Sequence, residues 1–179
     1  AVQPTIDMGK RWSRQRFSPM VDDMPTLQEK VASARSRDSG TTMLLKDFDG
    51  GILIVSGANS ASSLRSMPVR YLFLDEVDGY PLDVDGEGDP VELAINRTKT
   101  FGRKKIFMPS TPTTADVSRI EKEFKAGDQR YYHVPCPHCE GYQKLEWKNI
   151  RWQKEPKHRP ETAILACIHC GSEIEEHHK

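Results

Sequence analysis

The sequence predicts an α/β fold for residues 1–130, followed by a small domain of short strands over 131–179. Three observations support this division. Short apolar runs alternate with segments of helical spacing, which is typical of a mostly parallel sheet with flanking helices. The run Val69–Leu74 is largely apolar, as expected for a parallel strand that is buried on both faces. Four cysteines occur in two pairs, and both pairs come after residue 130.

The first 40 residues predict a helical, basic surface region. A helix ends near Met24-Pro25, and apolar residues at helical spacing predict another helix over 26–34. Two short strands are expected next, over 43–45 and 51–55, because the Asp49-Gly50 pair between them is a strong signal for a tight hairpin turn.

The remaining elements before residue 130 follow the same logic. Asp89 is a good helix cap, Pro90 suits the first turn, and Gly127 is expected to stop the last helix. In chain order we predict a short helix or loop over 58–66, a strand over 69–74, a helix from 90 to about 99, a buried strand over 105–108 and a helix over 115–126.

Composition excludes some classes of protein. The 26 Lys and Arg residues balance the 26 Asp and Glu residues, so the chain has no net positive charge of the kind that indicates a nucleic-acid partner. The charges are nevertheless segregated into basic clusters over 10–16 and 103–105 and an acidic stretch over 75–92. Each basic cluster is either a solvated surface or a contact for DNA phosphate.

Neither a membrane span nor an export signal is visible in the sequence. No run approaches the roughly 18 consecutive apolar residues that a transmembrane helix needs. The first residues lack a basic start followed by an apolar run. We therefore expect a cytoplasmic protein, in which paired cysteines favour a metal over disulfides.

Two adjacent acids follow the apolar strand over 69–74. Asp75 and Glu76 would lie at the carboxyl end of that strand, where open α/β sheets place their ligands. A carboxylate there can hold Mg²⁺, and a neighbouring acid can polarise the water that attacks a phosphate. A strand that merely ends in an acidic turn is the alternative, and these residues alone leave both open.

The next predicted strand also ends in polar residues. Ser110-Thr111-Pro112 follows the apolar run Ile106–Met108, so two successive strands would deliver acids and hydroxyls to one edge of the sheet. A helix cap with proline is the alternative explanation of this segment.

Five motifs occur along the chain in this order: Gln3-Pro4-Thr5, Gly57-Ala58-Asn59-Ser60 with Leu64-Arg65-Ser66, Tyr71-Leu72-Phe73-Leu74-Asp75-Glu76-Val77-Asp78, Ser110-Thr111-Pro112 and Cys136-Pro137-His138-Cys139. In this order they resemble the lambda-like branch of phage large terminase subunits. The resemblance covers nearly the whole chain, and the combination of motifs is more specific than any one of them.

The resemblance implies a DNA-packaging ATPase of the additional-strand P-loop class. It implies that Asp75 binds Mg²⁺ with ATP in the Walker B motif and that Glu76 is the catalytic carboxylate. Ser110-Thr111-Pro112 matches the motif that couples hydrolysis to DNA movement, so the resemblance gives Ser110 a place at the nucleotide and Thr111 a catalytic role. In this class the coupling strand lies between the phosphate-loop strand and the Walker B strand.

The same resemblance implies a set of partners. These are double-stranded viral DNA, the small terminase subunit and the portal of the procapsid, with the working motor an oligomer in the host cytoplasm and no membrane partner.

One expected motif does not occur in the sequence. No G-x-x-x-x-G-K-[ST] segment is present, although such a loop cradles the phosphates with backbone N–H groups and a lysine. We expect that the chain begins downstream of the phosphate loop and that these 179 residues alone do not hydrolyse ATP. The nuclease that the family carries after its cysteine pairs is absent from these 179 residues as well.

The cysteine pairs predict a structural zinc site. Cys136, Cys139, Cys167 and Cys170 form two C-x-x-C knuckles separated by 27 residues, which suits tetrahedral Zn²⁺ and predicts a zinc ribbon. A glycine soon after each pair would let backbone amides turn toward sulfur. Disulfides are the alternative. With four thiolates available, neighbouring histidines are not needed as ligands.

Two other functions compete with the packaging motor. A nucleic-acid-binding zinc-ribbon module without enzymatic activity would leave Asp75, Glu76 and Thr111 unexplained. Helicases also combine acidic residues at strand ends with a threonine-containing motif, but no further helicase motif supports this alternative.

Overall fold

The structure is a computed structural model that describes residues 1–32 and 40–175. These residues divide into two units, Ala1–Gly127 and Asp128–Lys179. The described strands of the first unit are β1 (Val2–Gln3), β2 (Leu45–Phe48), β3 (Gly51–Ile54), β4 (Ser56–Gly57), β5 (Tyr71–Phe73) and β6 (Lys105–Phe107). Its described helices are α1 (Ile6–Trp12), α2 (Ser18–Asp23), α3 (Pro25–Gln28), α4 (Ala61–Arg65), α5 (Pro90–Asn96) and α6 (Arg119–Ala126). A π-helical turn (Ser13–Phe17) joins α1 to α2, and a 3-10 turn (Val77–Gly79) follows β5.

Four short strands of the first unit run parallel. β5 pairs with β6, and β1 pairs with β4. A single parallel bridge between Val2 and Leu74 joins the two pairs, giving the order β6, β5, β1, β4. The mixture of helices with small parallel sheets confirms the predicted α/β class.

The core of the first unit lies on one face of β5. Leu72 and Leu74 are buried and pack with residues of α4 and α5. Tyr71 is 53% exposed and Phe73 is 47% exposed, and the neighbouring Phe107 is 60% exposed. The prediction that the strand over 69–74 is buried on both faces is therefore wrong, and the strand predicted as buried over 105–108 exposes Phe107. Successive side chains of a strand point to opposite faces, and α4 and α5 cover only one of them.

The capping residues explain where the helices begin. Thr5 accepts a hydrogen bond from the amide of Met8, and Asp89 accepts one from Val91 as predicted. The last helix begins later than predicted, because Ser118 is its cap and accepts from the amide of Glu121.

The hairpin prediction is confirmed, whereas the helix predicted over 26–34 is not. β2 and β3 are antiparallel and flank Asp49-Gly50. Helix α3 ends at Gln28, and Val31 instead forms an antiparallel bridge to Phe48. Residues 33–34 of the predicted helix lie outside the described residues.

The second unit consists of short antiparallel strands. β7 (His133–Pro135) pairs with β8 (Tyr142–Lys144) in a two-stranded sheet. In a separate three-stranded sheet, β10 (Arg159–Ala166) lies between β9 (Ile150–Gln153) and β11 (Glu173–Ile174). Its small core contains Cys136, Leu165, Cys167 and Ile174, with Ile150 packed against it.

Across the described residues, every helix is too short or too polar to cross a lipid bilayer.

A close backbone contact predicts that Gly57 cannot be replaced. A Cβ atom at this position would lie 2.5 Å from the backbone nitrogen of Ile6 and 2.9 Å from the carbonyl carbon of Thr5. Because backbone atoms at the start of α1 cannot move aside cheaply, we expect Gly57→Ala to lower the free energy of unfolding by about 1–3 kcal/mol. Urea denaturation measures this change.

Gly102→Ala is the matched control, since a Cβ there meets no atom within 4 Å. Equal urea midpoints for the two variants would show that the contact at Gly57 is not constraining.

Candidate functional site

Asp75 follows β5 after one intervening residue, Leu74, at the carboxyl end of the strand. Its amide donates to the carbonyl of Val2, and its Oδ2 accepts a hydrogen bond of 2.9 Å from Nε2 of Gln3. The carboxylate is half-buried. Burial, and then the charge of Asp75, raise the pKa of the neighbouring Tyr80 above its usual range, so Tyr80 remains a hydrogen-bond donor, to Val2.

Glu76 turns the chain sharply after Asp75. Its φ of +53° lies in the left-handed region, which residues other than glycine seldom occupy and which often marks a functional turn. The amide of Glu76 donates to the carbonyl of Pro109 at 2.8 Å. Its exposed carboxylate accepts from the amide of Thr111 at 3.3 Å. The left-handed turn thus brings Glu76 against the loop that follows β6.

Ser110 and Thr111 reach the same edge from β6. The amide of Leu74 donates to the carbonyl of Phe107, which continues the parallel pairing beyond the strands. Oγ of Ser110 then accepts from the amide of Asp78 at 3.3 Å. The structure therefore places the predicted acids and hydroxyls after two paired parallel strands and joins Glu76 to Thr111. Carboxylate and hydroxyl oxygens grouped at such an edge can bind a divalent cation and a phosphate group.

Asp78 also belongs to this region, although the sequence analysis did not predict it as a site residue. Its Oδ2 accepts from both the amide and the hydroxyl of Thr113, each at 2.9 Å, and its Oδ1 accepts from the amide of Ile120 at 2.9 Å. Partial burial raises the pKa of Asp78, but hydrogen bonds from the Ser118 side chain, Ile120 and Thr113 together hold it well below its usual range. Its position two residues after Glu76 was the one available signal.

Arg119 fastens the start of α6 to the same acidic turn. Its guanidinium donates to the carbonyls of Val77, Tyr80 and Pro81 at 3.2, 2.8 and 2.6 Å. The side chain is 16% exposed, and its Nε lies 3.5 Å from a carboxylate oxygen of Asp89. These bonds hold the residues after Glu76 in one conformation.

The four cysteine thiols of the second unit converge on one point. Their sulfur atoms all lie within 4.8 Å of one another, and the Cys136–Cys170 and Cys139–Cys167 pairs are each 3.8 Å apart. These separations are far longer than the roughly 2.0 Å of a disulfide bond. The thiols are free and can hold one metal ion.

The two knuckles are built alike and bind to each other. The amide of His138 donates to the sulfur of Cys136, and that of His169 donates to Cys167, both at 3.4 Å. Each histidine ring then bonds a carbonyl beside the other knuckle, His138 to Glu173 and His169 to Tyr142, both at 3.1 Å. Both Nε2 atoms are donors in these bonds, so the histidines brace the cluster from outside it.

The glycine after the first knuckle acts differently from what the sequence suggested. The left-handed residue after Cys139 is Glu140, with a φ of +59°, whereas Gly171 fills that place after Cys170 with a φ of +75°. Gly141 is instead crowded by the ring of His169, which a Cβ atom would approach to 2.7 Å.

Ionisation of the four thiols is interdependent. The side chain and amide of Ser172 lower the pKa of Cys170 to about 6. A backbone bond from Gly141 lowers the pKa of Cys139, but burial and the other three thiols outweigh it and raise the pKa to about 12. Four crowded thiolates repel one another, and a bound cation would remove that cost.

Comparison with known proteins decides the family. The model of the family described as "Phage terminase large subunit gpA, ATPase domain" matches residues 1–179. The chain belongs to this terminase family. The resemblance found in the sequence motifs is thereby confirmed.

This terminase chain is similar to two curated phage proteins. It is 28% identical over 183 residues to the terminase large subunit of Enterobacteria phage P21, covering 97% of this chain and 28% of that protein. It is 23% identical over 174 residues to the terminase large subunit of Escherichia phage lambda, covering 93% and 27%. The chain therefore spans little more than a quarter of the length of these relatives. No solved structure matches it.

The hydrogen bonds on Asp78 predict a dependence of stability on pH. Because the pKa of Asp78 is lowered in the folded state, its contribution is fully present above the unfolded pKa of about 3.9 and is lost as the pH falls further. Asp78→Asn should therefore lower the free energy of unfolding by about 1–3 kcal/mol at pH 7, and by less at pH 3. Urea midpoints at both pH values measure the difference.

Asp116→Asn is the control, since the side chain of Asp116 is 91% exposed. A deficit of the Asp78 variant that is the same at pH 3 as at pH 7 would contradict the assignment.

Proposed function

We propose that this terminase chain is the ATPase portion of a viral DNA-packaging motor, which couples ATP hydrolysis to the movement of double-stranded DNA into the procapsid. The observation that carries the proposal is that Asp75-Glu76 and Ser110-Thr111 follow two adjacent parallel strands and are joined there by the bond from the Thr111 amide to Glu76. This is the edge at which α/β sheets bind phosphates and magnesium. Membership of the terminase ATPase family supports the same activity.

In this proposal Asp75 is the Walker B acid. Mg²⁺ prefers one or two carboxylates together with water and substrate phosphates. The hydrogen bond from Gln3 holds one oxygen of Asp75, which orients the carboxylate at the strand end. The bound Mg²⁺ would neutralise the charge of the ATP phosphates.

Glu76 is the proposed catalytic carboxylate. Phosphoryl transfer depends mainly on positioning and on charge stabilisation, so a carboxylate that orients the attacking water is sufficient. The left-handed turn and the bond from the Thr111 amide fix Glu76 while leaving it exposed to a ligand. Its contact with the Ser110-Thr111-Pro112 loop would link the hydrolysis step to that loop.

Ser110 and Thr111 are proposed to sense the nucleotide and to couple its hydrolysis to the movement of DNA. The additional-strand P-loop class places the phosphate-loop strand beside the coupling strand, which here is β6. Among the residues described, β6 pairs with β5 alone, so one of its edges has room for that strand.

Phosphate binding has to come from another part of the protein. No G-x-x-x-x-G-K-[ST] segment occurs in these 179 residues, and the acids at this edge cannot replace its amides and lysine. We therefore propose that the residues 1–130 are a partial ATPase domain and that the chain by itself does not turn over ATP.

The proposed partners follow from the packaging role. They are double-stranded viral DNA, the small terminase subunit and the portal of the procapsid. The working motor is proposed to be an oligomer in the host cytoplasm. The basic residues of both clusters are exposed, and so are available to DNA phosphates: Lys10, Arg11, Arg14, Arg16, Arg103, Lys104 and Lys105.

The cysteine cluster is proposed to hold structural zinc in a ribbon that comprises residues 131–179. Four sulfurs around a tetrahedral Zn²⁺ at about 2.3 Å lie about 3.8 Å from one another, which matches the observed pairs. All four ligand positions would be filled by Cys136, Cys139, Cys167 and Cys170, so no position is left for a substrate. The metal would stabilise a ribbon that contacts DNA or another subunit.

Removal of the Glu76 charge tests the ATPase. In the complete large subunit, Glu76→Gln should lower DNA-stimulated ATP turnover by at least about 100-fold, because the amide cannot activate water. The thermal midpoint should remain near that of the wild type, since the exposed side chain contributes little to the core. Phosphate release and thermal unfolding measure the two effects.

Glu92→Gln, an exposed position on α5, is the matched control. Turnover that is unaffected by Glu76→Gln would sink the proposed catalytic role. Absence of DNA-stimulated turnover in the wild type would instead favour a zinc-ribbon binding module without enzymatic activity.

Metal analysis tests the ribbon. The purified chain should contain about one zinc per molecule, and Cys139→Ser should reduce both the zinc content and the stability of the second unit, because three thiolates bind the ion less well. Ile168→Ser, an exposed change inside the second knuckle, should keep the metal. A folded wild-type chain without metal would refute the zinc site.

A further inference from the structure

The acidic turn after β5 is joined to α6 through one carboxylate. Both oxygens of Asp78 are used: Oδ2 by the amide and hydroxyl of Thr113, and Oδ1 by the amide of Ile120. The Ser118 side chain, which caps α6, also bonds to Asp78. The side chain of Asp78, which lies two residues after Glu76, thus connects the acidic turn to the loop after β6 and to the first turn of α6.

Arg119 reinforces this connection from the opposite direction. It lies on α6 and donates to carbonyls of the acidic turn, whereas Asp78 lies on the turn and accepts from α6. The two residues make reciprocal contacts, and their separate bonds fix both the position and the direction of the helix start. An element held at several points moves with the turn that holds it.

Helix α6 is also the last described element of the first unit. It ends at Ala126, and the first unit ends at Gly127, after which the chain enters the second unit. A displacement of the acidic turn would therefore reach the chain segment that leads into the second unit.

We propose that Asp78 is a positioning residue that transmits the state of the nucleotide edge to α6. The proposal rests on the proposed packaging function and adds to it a route from hydrolysis to movement. Asp78 itself touches no nucleotide in this scheme and acts through Thr113 and α6.

The side-chain contacts of Asp78 are distinct from those of Glu76. The two bonds of Glu76, from the amide of Thr111 and to the carbonyl of Pro109, do not involve the Asp78 carboxylate. The edge that binds and cleaves ATP would persist, while Thr113 and α6 would lose their tie to it. Hydrolysis should then continue with less movement of DNA for each ATP.

The test compares ATP turnover with DNA packaging in the complete large subunit, assembled with its procapsid. For Asp78→Ala we expect the length of DNA packaged per ATP hydrolysed to fall about threefold to thirtyfold, the range typical of a residue in a coupling network. KM for ATP should remain that of the wild type. A purely structural role would reduce the amount of active protein, which lowers turnover and packaging together and leaves their ratio unchanged.

Asp83→Ala is the matched control. Asp83 also accepts two backbone amides, from Gly86 and Gly88, but these lie within its own loop. The length of DNA that the Asp83→Ala variant packages per ATP hydrolysed should equal that of the wild type. Thr113→Val, which keeps the carboxylate and all backbone bonds, should lower the ratio by a smaller factor and provides the test if Asp78→Ala does not fold.

An unchanged ratio in Asp78→Ala and Thr113→Val would overturn the proposal, and so would an equal loss in Asp83→Ala. Failure of the packaging function itself would appear separately, as a wild-type protein that shows no DNA-stimulated hydrolysis.

Discussion

Parallel pairing of β5 with β6 determines where the candidate residues of the first unit lie. The register Tyr71 to Lys105 continues through the bonds of Leu74 to Phe107 and of Glu76 to Pro109, beyond the last regular strand residue. Because side chains alternate along a strand, a shift of one residue would reverse their faces and separate Glu76 from Thr111. The chemistry proposed for this edge depends on a backbone register before it depends on any side chain.

The second unit depends on a different constraint. Its buried core is small, and two of its residues, Cys136 and Cys167, are themselves members of the thiol cluster. A domain of this size buries little apolar surface and is only marginally stable by its core alone. A metal held by the four neighbouring thiols would supply additional links.

The sequence predicted the elements with strong local signals and missed those that depend on distant partners. Asp89 as a helix cap and Asp49-Gly50 as a hairpin turn were predicted correctly, since both act through neighbouring amides. Burial of β5 was not, because apolar composition does not reveal which face of a strand is covered. The loss of helix after Gln28 has a similar cause, namely the bridge from Val31 to a strand 17 residues away.

The sequence by itself determined the residue types and spacings: two acids after an apolar run, hydroxyls after the next one, and two cysteine knuckles. These are local properties of the chain, and together they were sufficient to indicate the terminase family. Only the tertiary structure decided that Glu76 faces Thr111 and that Asp78 gathers donors from Thr113 and Ile120. Those contacts join residues 35 to 42 positions apart, and such pairings arise from sheet register and helix docking, which no local pattern specifies.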